Sequence, residues 1–93
     1  MRALRKTQPP ATTESGADPD RELTYAIAQA VYDLRTQQGL SQGELAERVG
    51  TKQPRISVVE SAVKLPSLPL LVRIASAFGM KVVISFEKTG DSE

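Results

Sequence analysis

Three glycines, Gly39, Gly50 and Gly79, interrupt the apolar pattern of this chain. Their spacing predicts a fold made of helices rather than of long strands. Apolar residues recur at helical intervals before Gly39, before Gly50 and before Gly79. Glycine readily adopts the left-handed conformation that ends many helices, so each of the three predicts a helix end. The pattern therefore predicts a small helical domain.

Four helices are predicted within that domain. The first begins near Asp20, and the second begins at Ser41, where Glu44 three residues later completes a capping box. The third runs from about Gln53 to Ser61, and the fourth begins at Ser67 and runs towards Gly79. The first helix presents an apolar face made of Leu23, Ile27, Val31 and Leu34.

The last apolar segment has a different pattern. It is short and rich in β-branched residues, which predicts a β-strand formed by Val82, Val83, Ile84, Ser85 and Phe86. A lone strand leaves its backbone groups unpaired, so we expect it to pair with the same strand of a second copy across a two-fold axis. The alternative is an extended tail that covers the helices.

The two ends of the chain differ from its middle in amino-acid composition. Polar residues, proline and glycine dominate residues 1–20, which predicts a disordered N-terminal tail. We expect a DNA-binding helical domain over 21–80, a dimerisation strand over 81–87 and a flexible tail over 88–93.

Composition argues against catalysis. The chain has no cysteine and no histidine, which removes thiol nucleophiles, imidazole bases and most zinc ligands. It also lacks paired carboxylates in an apolar setting and a glycine-rich phosphate loop. We expect no enzymatic activity, no cofactor and no metal. With no apolar run near the roughly 20 residues of a membrane span, we also expect a cytoplasmic protein without a membrane partner.

Charge is unevenly distributed along the chain. Residues 35–73 hold six basic and three acidic side chains, a balance of +3, whereas the net charge of the chain is +1. A basic middle between acidic flanks favours a surface that faces nucleic acid. An ordinary mixed surface is the alternative.

The second and third helices, joined by a tight turn at Gly50, have the geometry of a helix-turn-helix. The stretch GLSQGELAERVGTKQPRISVVE, followed by PSLPLLVRIASAFGM, resembles the Xre-type family of phage repressors and bacterial antitoxins. That resemblance covers about residues 21–86. It implies an all-α, lambda-repressor-like bundle of four to five helices that binds a pseudo-palindromic operator as a homodimer, here with the short C-terminal strand added.

The resemblance also implies roles for individual residues. The outward face of the third helix would read base edges in double-stranded DNA, through Lys52, Gln53, Pro54, Ser57 and Val58. Phosphates would be held by Ser41, Gln42, Arg55 and Lys64. Arg35 and Glu60 match a family pair that forms a partly buried salt bridge and orients the third helix.

Several positions leave alternatives open, and Arg55 is either a phosphate ligand or a side chain on the solvated side of the helix. Lys52 stands where the family usually has a capping Ser or Thr, which favours a contact between Lys52 and DNA. A cap at Thr51, with Lys52 in the first turn, is the other explanation, and the two do not exclude each other. Val58 is either a contact to a thymine methyl or a stray surface valine. Ala62 stands where the family often has glycine, so the loop after the third helix is expected to differ.

The short chain and its C-terminal strand are similar to antitoxins of the HigA and HipB type. Such a protein would neutralise a cognate toxin and repress its own operon, associating with the nucleoid when bound to DNA. The alternatives are a plain repressor of the same fold without a toxin partner, and a protein-interaction adaptor that no longer binds DNA.

Overall fold

Four helices make up the fold. The computed structural model describes residues 19–89, with α1 over Pro19–Gln37, α2 over Gln42–Val49, α3 over Gln53–Ser61 and α4 over Leu68–Ala77. The prediction of an all-helical bundle is confirmed, with four helices in the described part of the chain. None of these helices is long and apolar enough to cross a membrane.

An aliphatic core joins the four helices. Leu45 of α2 and Ile56 of α3 are fully buried at its centre. Around them pack six further buried residues, which are Val31, Ala46, Val49, Val59, Leu70 and Ile74. Because α2 and α3 both contribute to this core, their relative orientation is fixed by the burial of their apolar faces.

Helix α1 departs from its predicted face. Val31 is buried and Ile27 is partly buried, as the helical spacing predicts, but Leu23 remains 51% exposed. Ala28 and Thr24 are buried instead. The N-terminal half of α1 therefore leaves part of its apolar stripe exposed.

Local capping rules set the ends of α2. The Ser41 hydroxyl accepts a hydrogen bond from the Glu44 backbone N–H at 3.0 Å, and the Ser41 N–H donates to Glu44 Oε1 at 2.8 Å. The predicted capping box is thus confirmed. Gly50 ends the helix at φ 82°, where its N–H bonds the carbonyls of Ala46 and Glu47.

Ala62 ends α3 in a conformation that alanine disfavours. It adopts φ 60° and ψ 29°, in the left-handed region, and no other described non-glycine residue has a positive φ. A left-handed non-glycine residue costs roughly 1–2 kcal/mol. The expectation that alanine changes this loop is therefore wrong on this point, because Ala62 itself adopts the left-handed turn.

We expect Ala62→Gly to stabilise the fold by about 1 kcal/mol, because glycine adopts this conformation without the steric penalty. The thermal midpoint should rise by roughly 4–8 °C, as measured by circular dichroism. Ala26→Gly, at an exposed position inside α1, is the matched control and should destabilise by about 1 kcal/mol. A fall in both midpoints would contradict the strain at Ala62.

The predicted C-terminal strand is not present as a strand. Residues 80–89 carry no regular secondary structure, and no β-strand occurs anywhere between residues 19 and 89. The physical reason is that a strand is defined by its hydrogen-bonded neighbour, and the described part of one chain offers only helices. Pairing across a dimer thus remains a prediction.

Most of the predicted tails cannot be compared with this fold. Residues 1–18 and 90–93 lie outside the described residues. The N-terminal tail predicted for 1–20 overlaps the structure only at Pro19 and Asp20, which begin α1.

Candidate nucleic-acid interface

Helix α3 presents one exposed face and one buried face. Ile56 and Val59 are buried against the core, which directs the other side of the helix outwards. The residues predicted to read bases are all exposed, and they are Lys52, Gln53, Pro54, Ser57 and Val58. Positions 53, 54, 57 and 58 share a face by helical spacing. The fold therefore groups the predicted reading residues on one surface.

Lys52 occupies the N-cap of α3 without capping it. Its backbone is extended, at φ −100° and ψ 149°, and no side chain accepts a hydrogen bond from the first turn. The alternative in which Thr51 caps the helix is therefore wrong. Pro54 lies in that first turn and carries no N–H, so the turn has one fewer donor that needs a partner.

The Lys52 ammonium is available to bind a partner outside the chain. It is exposed, and it forms no ion pair or hydrogen bond with any residue between 19 and 89. Its positive charge lies beside the N-terminus of α3, which also carries a partial positive charge. The Lys52 charge therefore does not stabilise the helix, and together with the helix terminus it attracts an anionic partner.

Gln42 connects the start of α2 to α3. Its Nε2 donates to Glu60 Oε1 at 3.1 Å, and its Oε1 accepts a hydrogen bond from Gln53 Nε2 at 3.3 Å. A glutamine amide has two N–H donors. Each glutamine thus keeps one unused N–H, and the Oε1 of Gln53 also remains unused among the described contacts.

An ion pair between α1 and α3 anchors this chain of hydrogen bonds. Arg35 Nε and Nη2 donate to Glu60 Oε2 and Oε1 at 2.7 and 2.9 Å, and Nη1 donates to the Leu40 carbonyl at 2.7 Å. The Arg35 guanidinium also lies 5.4 Å from the centre of the Tyr32 ring. The hydrogen bonds to Glu60 raise the pKa of Arg35 above its ordinary value.

That ion pair is largely shielded from water. The side chains of Arg35 and Glu60 are 12% and 5% exposed. A shielded bidentate pair restricts both side chains to one geometry. Glu60 accordingly holds Gln42, and Gln42 holds Gln53, so the orientation of a predicted reading residue depends on the ion pair.

The predicted phosphate-binding residues occupy two places. Arg55 and Lys64 line one open cleft of about 580 Å³ together with Pro54 and Val58, between α3 and the loop that leads to α4. Both cations are exposed. A nucleic-acid strand that lies along α3 would therefore lie close to the positive charges of Arg55 and Lys64.

Ser41 and Gln42 lie at the start of α2, where the Glu44 carboxylate would compete with a phosphate for the Ser41 N–H. The Ser41 N–H already donates to the Glu44 carboxylate, and these contacts lower the pKa of Glu44 below its ordinary value. The unused Gln42 N–H is therefore better placed to bind a phosphate than the Ser41 groups are.

Sequence reasoning missed the role of Arg73. Its guanidinium reaches from α4 to the end of α2, where Nη2 donates to the Gly50 carbonyl at 2.6 Å and to the Val49 carbonyl at 3.2 Å. Carbonyls at a helix C-terminus lack helical partners and carry partial negative charge. Arg73 counts as a basic residue in the sequence, but its charge is used inside the fold. The available signal was that Arg73 is the one charged residue of α4, a helix that is otherwise almost entirely apolar.

The helix-turn-helix family model matches residues 31–84, which include the last seven residues of α1, all of α2, α3 and α4, and the start of the C-terminal segment. The chain belongs to the helix-turn-helix family. A curated relative, the uncharacterised HTH-type transcriptional regulator YgzD of Bacillus subtilis (strain 168), is 38% identical over 52 residues. That alignment covers 56% of this chain and 79% of the relative.

Proposed function

We propose that this helix-turn-helix protein represses transcription by binding an operator as a homodimer, with α3 of each copy in the major groove. The observation that carries the proposal is the exposed face of α3, whose Gln53 is oriented through Gln42 and Glu60. The name of the Bacillus relative, an HTH-type transcriptional regulator, supports the same function.

Each residue on this face has a base-edge chemistry. Gln53 keeps one N–H donor and its Oε1 acceptor, the two groups needed for a bidentate contact with the N7 and N6 atoms of adenine. Lys52 can donate to guanine O6 and N7 or to a phosphate. Pro54 and Val58 suit thymine methyl groups, and the Ser57 hydroxyl can donate to or accept from either kind of base.

Phosphate contacts would fix the register of α3 in the groove. Gln42 and Ser41 would bind one backbone strand at the start of α2, with Arg55 and Lys64 binding the other side of the groove. One copy offers a reading face of only a few residues, so we infer that two copies bind two half-sites about one helical turn apart.

We further propose that the protein neutralises a toxin. This proposal rests on the resemblance to HigA and HipB antitoxins, and a repressor without a toxin remains the alternative. Co-expression with the neighbouring gene separates the two. Co-purification of the two products together with rescue of growth would support the antitoxin, whereas a harmless neighbour that does not bind would leave a plain repressor.

Selection of preferred sequences from random DNA, followed by titration at a fixed salt concentration, tests the DNA-binding proposal. Lys52→Ala with Gln53→Ala should lower affinity for the selected site by about tenfold or more, because a good bidentate base contact contributes roughly 1–3 kcal/mol. Affinity for unrelated DNA should fall less, since phosphate contacts dominate there.

The matched control is Gln29→Ala with Lys88→Ala, which removes the same two residue types from exposed positions outside α3. Both double variants should keep the helical circular-dichroism signal. Equal losses for the two variants would contradict the reading role of α3, and so would unfolding of the first variant alone.

A further inference from the structure

The cleft between α3 and the loop before α4 has an apolar floor. Its volume of about 580 Å³ lies within the range of about 300–1,000 Å³ that is typical of small-molecule sites. Val59 and Leu70 are buried beneath it, whereas Val58 and Leu65 remain 38% and 43% exposed. Apolar side chains are thus open to solvent on the surface proposed to face DNA, and an exposed apolar groove of this kind marks a binding site.

The rim of the same cleft is positively charged. Arg55 and Lys64 line it, and neither side chain forms an ion pair or a hydrogen bond with another residue between 19 and 89. Ser67 also lines it, and its Oγ accepts a hydrogen bond from the Leu70 N–H at 3.3 Å, which leaves its O–H free to donate. None of the nine described residues that line the cleft is acidic. The rim therefore offers positive charge and hydrogen-bond donors to an anion.

Nucleic acid accounts for only part of this chemistry. A DNA backbone would bring phosphates to Arg55 and Lys64, and a thymine methyl would suit Val58. Neither group would cover Leu65, because a phosphate is polar throughout and a methyl is much smaller than the cleft. A molecule that joins an apolar body to one carboxylate complements both the floor and the rim.

We propose that this cleft binds a small apolar carboxylate, and that the bound acid releases the protein from its operator. The inference rests on the proposed operator binding and adds a regulatory ligand for the same surface. The carboxylate would accept hydrogen bonds from Arg55, Lys64 and Ser67, with the apolar body on Val58 and Leu65. A ligand in this position uses the positive charges that the proposed phosphate contacts need, so the acid and the operator exclude each other.

Cinnamate, an aromatic carboxylate, is a suitable probe for the cleft, and uncharged cinnamyl alcohol is its matched control. In amide NMR spectra of the full chain, cinnamate should shift signals within residues 55–59 and 64–70. It should bind about tenfold more tightly than the alcohol, because hydrogen bonds to a charged group are the stronger ones. An apolar groove between α1 and α4 has no charged side chain in its lining and should not distinguish the two compounds.

Two leucine variants separate the ligand from DNA. Leu65→Ala should weaken cinnamate binding by at least about fivefold, because it removes part of the apolar floor. It should leave operator affinity within about twofold, since Leu65 makes none of the proposed DNA contacts. Leu23→Ala is the matched control, because Leu23 is also about half exposed but lines the α1/α4 groove and not the cleft. That change should leave both affinities within about twofold.

Competition tests the release of DNA. Saturating cinnamate should lower affinity for the selected operator by about tenfold or more, measured at constant ionic strength because DNA binding depends on salt. Acetate at the same concentration should have no such effect, since it carries the charge without the apolar body. In the Leu65→Ala variant, the same cinnamate concentration should lower operator affinity less than in the wild type.

The outcomes separate this inference from the function on which it rests. Operator binding that cinnamate does not weaken, or cinnamate shifts confined to the α1/α4 groove, would overturn the inference and leave the operator proposal intact. Binding of cinnamate in the cleft by a chain that has no preferred DNA sequence would overturn the operator proposal and the release of DNA. A peptide of residues 86–93, with its three acidic side chains, that displaces cinnamate at a lower concentration would assign the cleft to a protein segment and overturn the small ligand.

Discussion

Replacing Glu60 with glutamine should destabilise the fold by about 3–5 kcal/mol, the usual cost of removing one partner from a buried ion pair. Arg35 would keep its positive charge in a site where its side chain is only 12% exposed. Two of its hydrogen bonds would lose their charged acceptor. For a domain of this size, the thermal midpoint should fall by at least roughly 12 °C.

A matched control distinguishes this cost from the loss of one negative charge. Glu47 also lies in the helix-turn-helix, on α2, but it is exposed. Glu47→Gln makes the same chemical change and should shift stability by no more than about 0.5 kcal/mol. If the two variants melt at the same temperature, the Arg35–Glu60 pair contributes no more than a surface charge does.

The double variant Arg35→Met/Glu60→Met adds a sharper comparison. It replaces the whole pair with apolar groups, and such exchanges are often neutral or stabilising. We expect it to be more stable than Glu60→Gln but to bind the preferred operator more weakly than the wild type. The reason is that Gln42 would lose its contact with Glu60 and would hold Gln53 less firmly.

Local rules made the core of this site predictable from sequence. The capping box at Ser41 and the bounds of α3 depend on residues within a few positions of one another, and the structure has both where the sequence places them. The departure at Lys52 was also visible, although the choice between a cap at Thr51 and no side-chain cap required the backbone geometry.

What the sequence did not predict depends on contacts between distant segments. Arg73 binds carbonyls 23 and 24 residues away, and Gln42 bridges to a residue 18 positions later. The exposure of Leu23 depends on what packs against α1. The absence of the predicted C-terminal strand has the same cause, because a segment forms a strand only where another strand pairs with it.

Removing residues 81–93 should lower operator affinity by at least about a hundredfold. The proposed dimer joins two reading faces, and a monomer would offer only one half-site. Specific DNA-binding proteins exceed their own non-specific affinity by roughly 10³–10⁷, so losing one half-site removes a large share of that difference. Affinity should be measured by titration at fixed salt, because phosphate contacts make it salt-dependent.

Loss of dimerisation must be separated from loss of folding. Residues 81–88 form no hydrogen bonds with the rest of the described chain, so the truncated protein should retain the helical signal of α1 to α4. Two truncated copies joined by a flexible Gly/Ser linker should recover most of the affinity, since a linker raises the effective concentration of the second half to about the millimolar range. A linked pair that remains as weak as the single truncated chain would mean that the segment acts on DNA or on the fold directly, and the dimer would no longer explain the loss.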